Sequence, residues 1–320
     1  MKKLLPYLQL FRIPNVFTAM ADIIAGFVFV SASLSPSLTF ACLLVASSLM
    51  YMAGMVLNDV FDVEQDTKER PQRPIPSGSI SRSQAAALGW GMLAVGVVLA
   101  WLAGFLTGGE QGAASPWRPG VVATILAACI VAYDAVMKRT PVGPIFMGAC
   151  RFFNILLGMS AAGYVASGGP VWLLRYEYGQ LLIAGGVGVY ISGVTWFART
   201  EAKESNRGQL AGGLAVMVAG LVMIGLYPQL PDLPIKHFNG LNPLMWQLLI
   251  LLLSFTIFRS AAMAVYDPRP KRVQMSVKTA ITSLIVIDAA ICMIVGPYFA
   301  IGVLALLLPT LLLGQWVYST

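Results

Sequence analysis

Residues 58–78 read NDVFDVEQDTKERPQRPIPSG and crowd five acids and three bases between two apolar runs. Asn58, Asp62 and Asp66 are spaced four residues apart, so a helix continuing through them carries all three on one face. Two carboxylates and an amide oxygen are hard oxygen donors suited to Mg2+. That ion commonly takes one or two carboxylates and completes its octahedron with waters and phosphate oxygens. Asp59 and Glu64 fall off the stripe, as outer supports or solvated acids. A generic DxxxD is often only a solvated helix end. Here, however, like charges at this spacing repel, so a structural helix gains nothing from stacking them. Lys68, Arg70 and Arg73 follow at once, which makes a mixed site suited to a metal-bound polyanion.

The elements that must position these residues are hydrophobic. Of 320 residues, 58% are hydrophobic and 11% charged, against about 25% charged in soluble domains. The mean hydropathy is +0.76. Apolar runs long enough to cross a bilayer as helix fall at 16–36, 39–57, 83–107, 120–137, 142–164, 179–198, 209–227, 244–264, 276–295 and 299–317. Only GPY parts the last two, so the expectation is an all-α, polytopic membrane bundle of nine or ten helices, forming one domain over 1–320. RPIPSG has a turn-forming composition that folds its loop back over the membrane face. Arg12 and Pro14 interrupt the first apolar run, so no cleavable leader is expected.

With the N-terminus inside, 17 of the 21 Lys and Arg fall on the inner side. Arg118, Arg175 and Lys236 fall outside, and Arg151 lies within a span. That asymmetry supports this orientation, and the net charge of +7 reads as topology and contact with anionic lipid. The basic residues are scattered over short loops, which argues against nucleic-acid binding. The four cysteines lie singly in apolar spans as small buried hydrophobes, and a lone His237 excludes a multi-histidine metal site.

NDVFDVEQD followed by RPIPSG resembles the first aspartate-rich motif of the UbiA superfamily of membrane-intrinsic polyprenyltransferases, NDxxDxxxD and then RPxxxG, and fills each of its positions. FRIPNVFTA resembles the family's arginine and asparagine at the first helix, here Arg12 and Asn15. YDAVMKR resembles its tyrosine and lysine–arginine pair, here Tyr133, Lys138 and Arg139. MGACRFFN resembles a divergent branch, the EboC-like proteins. The resemblance implies a Mg2+-dependent transfer of an isoprenoid chain from a prenyl diphosphate to an aromatic or similar lipophilic acceptor. It implies Asn58, Asp62, Asp66, Glu201 and Glu204 around the metal, with Asp62, Asp66 and Lys138 catalytic. Arg12, Asn15, Arg73, Tyr133, Arg139, Tyr190, Arg199 and Lys203 would bind substrate. Tyr133, Tyr190, Trp196 and Phe197 are the candidate walls for an allylic cation. The expected place is a bacterial inner membrane, with the N-terminus and active site cytoplasmic.

The family's second motif, resembling DxxYAxxDxxDD, is degenerate. Its counterpart YISGVTWFARTEAKESNRG (190–208) contains no aspartate and puts Val194, Glu201, Glu204 and Ser205 at the acid positions. Either the glutamates still ligand Mg2+ and a basic loop binds the diphosphate, or the chain binds a lipid or metabolite without turnover. Asp22, Arg151 and Asp288 lie inside apolar spans, where a charge costs about 3 kcal/mol on insertion scales; Arg151 is expected to pair with Asp22 or Asp288. Asp134 reads as a solvated neighbour or an acceptor-side base, the former preferred. Ten spans with midplane charges also suit a transporter, which a requirement for Mg2+ would argue against.

Overall fold

A computed structural model describes residues 4–106, 115–160, 173–201, 204–230 and 242–317. Its helices are α1 (Leu5–Leu10), α2 (Ile13–Ser31), α3 (Ser37–Phe61), α4 (Val63–Glu69), α5 (Arg82–Leu106), α6 (Arg118–Ala135), α7 (Gly143–Met159), α8 (Tyr178–Ala198), α9 (Arg207–Gly225), α10 (Pro243–Tyr266), α11 (Pro270–Val295), α12 (Pro297–Leu304) and α13 (Leu307–Trp316). Among the described residues nine helical spans are long and apolar enough to cross a membrane, with α12 and α13 together forming Pro297–Gln315. α7 is a shorter apolar helix of 17 residues. At 1.5 Å per residue it reaches about 26 Å, close to the hydrocarbon thickness of about 30 Å. The protein is an integral, multi-pass membrane protein. The GPY break divides two elements: Gly296 is extended (φ 174), and α12 packs back on α11. The final span is itself broken between α12 and α13.

Proline opens seven of these thirteen helices, standing in the first turn of α1, α2, α6, α7, α10, α11 and α12. There its missing N–H leaves no donor stranded and its φ is already helical. Asn206 and Asn242 cap α9 and α10 by accepting backbone N–H groups. Arg118, expected on the outer surface, is buried at the far end of α7 and donates to the Met159 and Ser160 carbonyls. Lipid takes the place of solvent on the outward faces, where Leu251, Leu252 and Phe255 of α10 are exposed.

Small residues bring helices to backbone contact. A Cβ on Gly26 of α2 would lie 2.4 Å from the Ile155 carbonyl oxygen of α7, and one on Gly158 would lie 2.6 Å from the Ile23 carbonyl oxygen. In lipid no hydrophobic force drives helices together, so such close packing carries the association. One turn from this contact, Asp22 and Arg151 face one another. α2 also packs on α11 and α3, and α3 on α5 and α6. A second, small core of Leu10, Val56, Val60, Ile75, Ile80 and Ala85 lies at the end of the bundle that carries the acidic segment.

Candidate functional site

α3 extends past the apolar run to Phe61, breaks at Asp62 (φ −94, ψ 8) and resumes as α4. The ladder survives the break: the Asp62 N–H donates to Asn58 O at 3.0 Å and the Asp66 N–H to Asp62 O at 2.8 Å. The side chains of the stripe nevertheless find different partners. Asp62 accepts from Lys138 Nζ at 2.6 Å on Oδ2 and from Arg139 Nη2 at 3.2 Å on Oδ1. Asp66 accepts from Arg73 Nη1 at 2.6 Å. Asn58 Nδ2 donates to Asp134 Oδ1 at 2.9 Å.

Asp59 belongs to the cluster, not outside it. It is buried and accepts from both Arg12 and Arg73 at 3.2 Å. Residues 59, 62 and 66 follow an i, i+3, i+7 pattern, which also traces one helical face; that signal was present in the sequence beside the four-residue spacing from Asn58. Glu64 is exposed. Asp134 is not a solvated neighbour: it is buried, held by Asn58, and lines the cavity described below.

Three local devices aim the basic groups. Arg12 occupies the α1–α2 joint with φ 48, a left-handed conformation uncommon outside glycine, and from there reaches Asp59. The RPIPSG loop folds back through Ser77 N–H to Arg73 O (2.9 Å) and Ile80 N–H to Pro74 O (3.1 Å). Gly78 supplies the one positive φ of that loop (74), and Ile75 and Ile80 anchor it in the small core. Lys138 and Arg139 sit on a 3-10 turn after α6. Exposed Arg199 donates to the carbonyl of Thr140, tying that turn to the end of α8.

A cavity of about 350 Å³ opens among α2, α3, α6, α7, α8 and α11. Arg12, Asn15, Tyr133, Asp134 and Glu201 line it from helix ends, while Tyr51, Arg151 and Asn154 line it from mid-helix. Met50, Leu126, Ile130 and Leu284 belong to its apolar wall. The volume lies within the range of small-molecule sites. Tyr190 lies outside the lining: it is fully buried, and its hydroxyl donates to Ala280 O at 2.8 Å. Phe197 and Trp196 pack on Gly213 and Gly212 of α9. Of the four aromatic candidates only Tyr133 borders the cavity, joined by Tyr51, which sits two turns before Asn58 on the same face of α3.

The second loop meets the first only in part. Val194 and Glu201 line the cavity. Burial pushes the Glu201 carboxyl above its ordinary range, partly offset by the nearby Arg70 guanidinium. Glu204 is exposed, the hydroxyl of buried Ser205 pairs with Thr200, and Lys203 lies outside the described residues, as does His237. Among the described residues no three His, Cys, Asp or Glu side chains converge on one point. The five oxygen donors expected around a metal are thus distributed: Asn58, Asp62 and Asp66 on one segment, Glu201 at the cavity, and Glu204 facing solvent.

Within the bundle, Arg151 pairs with Asp22 at 2.9 Å and donates to Thr18 Oγ1 at 2.8 Å. Asn154 donates to Asp22 Oδ2 at 2.9 Å, and Tyr51 places its ring 5.4 Å from the guanidinium. Asp288 of α11 faces Asp22, and among the described residues neither of its buried oxygens has a hydrogen-bond partner.

Comparison with known proteins places this arrangement. The digeranylgeranylglyceryl phosphate synthase of Metallosphaera sedula is 31% identical over 210 residues, covering 64% of this chain and 64% of that protein. The alignment therefore spans just under two thirds of that relative's length. A solved structure of digeranylgeranylglyceryl phosphate synthase superposes with a TM-score of 0.61 at 20% identity, over 95% of this chain and 100% of that one. A UbiA homolog from Archaeoglobus fulgidus bound to GPP and Mg2+ superposes with a TM-score of 0.56 at 16% identity, over 94% and 99%. At such identities the superpositions establish a shared fold. The model of one family matches residues 19–271, from the midplane charges of α2 through the acidic segment to the start of α11, and the chain belongs to it: the UbiA prenyltransferase family.

Proposed function

We propose that this protein, as one unit over 1–320, transfers an isoprenoid chain from a prenyl diphosphate to a lipophilic acceptor within the membrane, with Mg2+ as cofactor. The observation that carries the reading is Asp62 held between Lys138 and Arg139 beside a largely apolar cavity. The A. fulgidus homolog's complex with GPP and Mg2+ supports the choice of donor and metal. The positive-inside asymmetry supports a cytoplasmic N-terminus and active site; a bacterial inner membrane remains the proposed location.

The donor set fits Mg2+. Asp62 and Asp66 supply carboxylates, and the Asn58 carbonyl oxygen accepts no hydrogen bond among the described residues while its amide donates to Asp134. When bound, the metal would neutralise charge on the diphosphate. The chain's own bases contribute to the same neutralisation. Arg12, Arg73, Lys138 and Arg139 now balance Asp59, Asp62 and Asp66, and a polyanion arriving at this face meets four cations already gathered. Stabilising the departing diphosphate promotes C–O cleavage. The apolar wall excludes water from the allylic cation left behind, and the ring faces of Tyr51 and Tyr133 attract it.

A second reading has its own observation. The second loop lacks aspartate and leaves Glu204 in solvent, which suits a protein that binds a prenyl diphosphate without ionising it. Diphosphate release from dimethylallyl and geranyl diphosphate, with Mg2+ or chelator and with a mixed acceptor pool, separates the two. The transferase reading expects metal-dependent release, reduced about 100-fold or more in Asp62→Ala. Donor binding without release would replace it with the binding reading.

A further inference from the structure

Arg151 stands eight residues into α7, about 12 Å from its inner end, and so near the middle of the hydrocarbon. A guanidinium carries five N–H donors. Here one goes to Asp22 and one to Thr18. The side chain is only 11% exposed, and that exposure faces the cavity it lines. Its neighbours in the wall are already committed: Asn154 donates to Asp22 and Ala19 O and accepts from Ser47. Arg151 therefore keeps N–H donors to spare at this depth.

The charge around it decides what it can hold. Asp22 already balances Arg151, and Asp288 stands behind Asp22, both fully buried. The ion pair with Asp22 leaves Arg151 no surplus positive charge for an anion, and an uncompensated charge at this depth is costly. A neutral oxygen can accept the unused N–H groups without that penalty.

We propose that Arg151 is a binding site for a neutral oxygen of the acceptor, as in a phenol, a quinol or a quinone carbonyl, and that it rejects an anionic head group at this depth. The prenyltransferase reading is needed only for calling the ligand an acceptor. The apolar rings of such a ligand would lie along Met50, Leu126 and Leu284, beside the Tyr51 ring.

The test uses four probes with one ring system, titrated into the full-length protein in nanodiscs: naphthalene, 1-naphthol, 1-naphthoate and 1-naphthyl phosphate. One hydrogen bond to a charged donor makes 1-naphthol bind about tenfold tighter than naphthalene, and tighter than either anion. In Arg151→Gln that preference over naphthalene disappears while Mg2+-dependent binding of geranyl diphosphate persists. Where the single variant fails to fold, Asp22→Asn with Arg151→Gln removes both charges and carries the same expectation. Equal binding of naphthalene and naphthol in the unmodified protein overturns the proposal, as does an anion that binds as well as naphthol, or a preference that survives the loss of Arg151. Absence of Mg2+-dependent geranyl diphosphate binding in the unmodified protein would overturn the prenyltransferase reading instead, with the naphthol comparison judged on its own.

Discussion

Removing one member of the Asp22–Arg151 pair should cost far more than removing both. Asp22 is fully buried and uses one oxygen to accept from Arg151 and Asn154, each at 2.9 Å. In Asp22→Ala the guanidinium keeps only Thr18 as a hydrogen-bond partner and the Tyr51 ring beside it, at membrane depth. In Arg151→Met the carboxylate keeps only Asn154, and Asp288 still faces it. Stranding one member of a buried pair costs about 3–5 kcal/mol. The double variant removes both charges of the pair together and leaves buried Asp288 facing a neutral site as before; Asn154 loses one acceptor for its amide, while the Thr18 hydroxyl keeps its bond to Asn15 O, about 1–2 kcal/mol in all. Singles of that size predict a sum of about 6–10 kcal/mol, so the coupling energy should exceed about 3 kcal/mol. Equilibrium unfolding of the four proteins in mixed micelles measures it. Additivity within about 0.5 kcal/mol would show that the two charges do not depend on one another, and would refute the reasoning.

Three further outcomes are expected. Gly26→Val drives a side chain into the Ile155 carbonyl, 2.4 Å from the Cβ position, and should destabilise the protein by about 1–3 kcal/mol or more in the same unfolding assay. Tyr190→Phe should cost about 1 kcal/mol by removing its hydrogen bond to the Ala280 carbonyl, yet leave the KM for geranyl diphosphate unchanged, since Tyr190 lies outside the cavity; a large rise in KM would put it back in the wall. Burial raises the folded-state pKa of Glu201 above its unfolded value, so its contribution to stability is present below the ordinary glutamate range and is lost as pH rises through the raised pKa. Glu201→Gln should therefore flatten the decline of thermal stability across mildly acidic pH, and an unchanged slope would contradict the burial.

How the site residues divide between sequence and structure follows from what each kind of signal can carry. The acid-rich segment, its helical spacing and the fold-back of RPIPSG are local properties, written within two dozen residues. Asp59 was within reach of the same reasoning, because 59, 62 and 66 share a helical face. Asp134 was not: its burial depends on Asn58, 76 residues away. Nor did any local feature distinguish Tyr190 from Tyr51, since both are tyrosines in apolar spans. Their roles differ because Tyr190 faces α11 and Tyr51 faces the opening between α3 and α7.

The sequence by itself determined that this chain crosses a membrane repeatedly, where its spans lie, and which segment could hold a metal and a polyanion. Each of these rests on composition or on the period of a helix, and lipid enforces both by demanding long apolar runs with every backbone group bonded internally. Tertiary structure alone decided which charges meet. Arg151 had two candidate partners in sequence, and the small-residue contact of Gly26 and Gly158 brought it to Asp22, 129 residues away. In hydrocarbon, attraction between charges is strong but has no reach beyond what helix packing allows, so the pairing followed the packing.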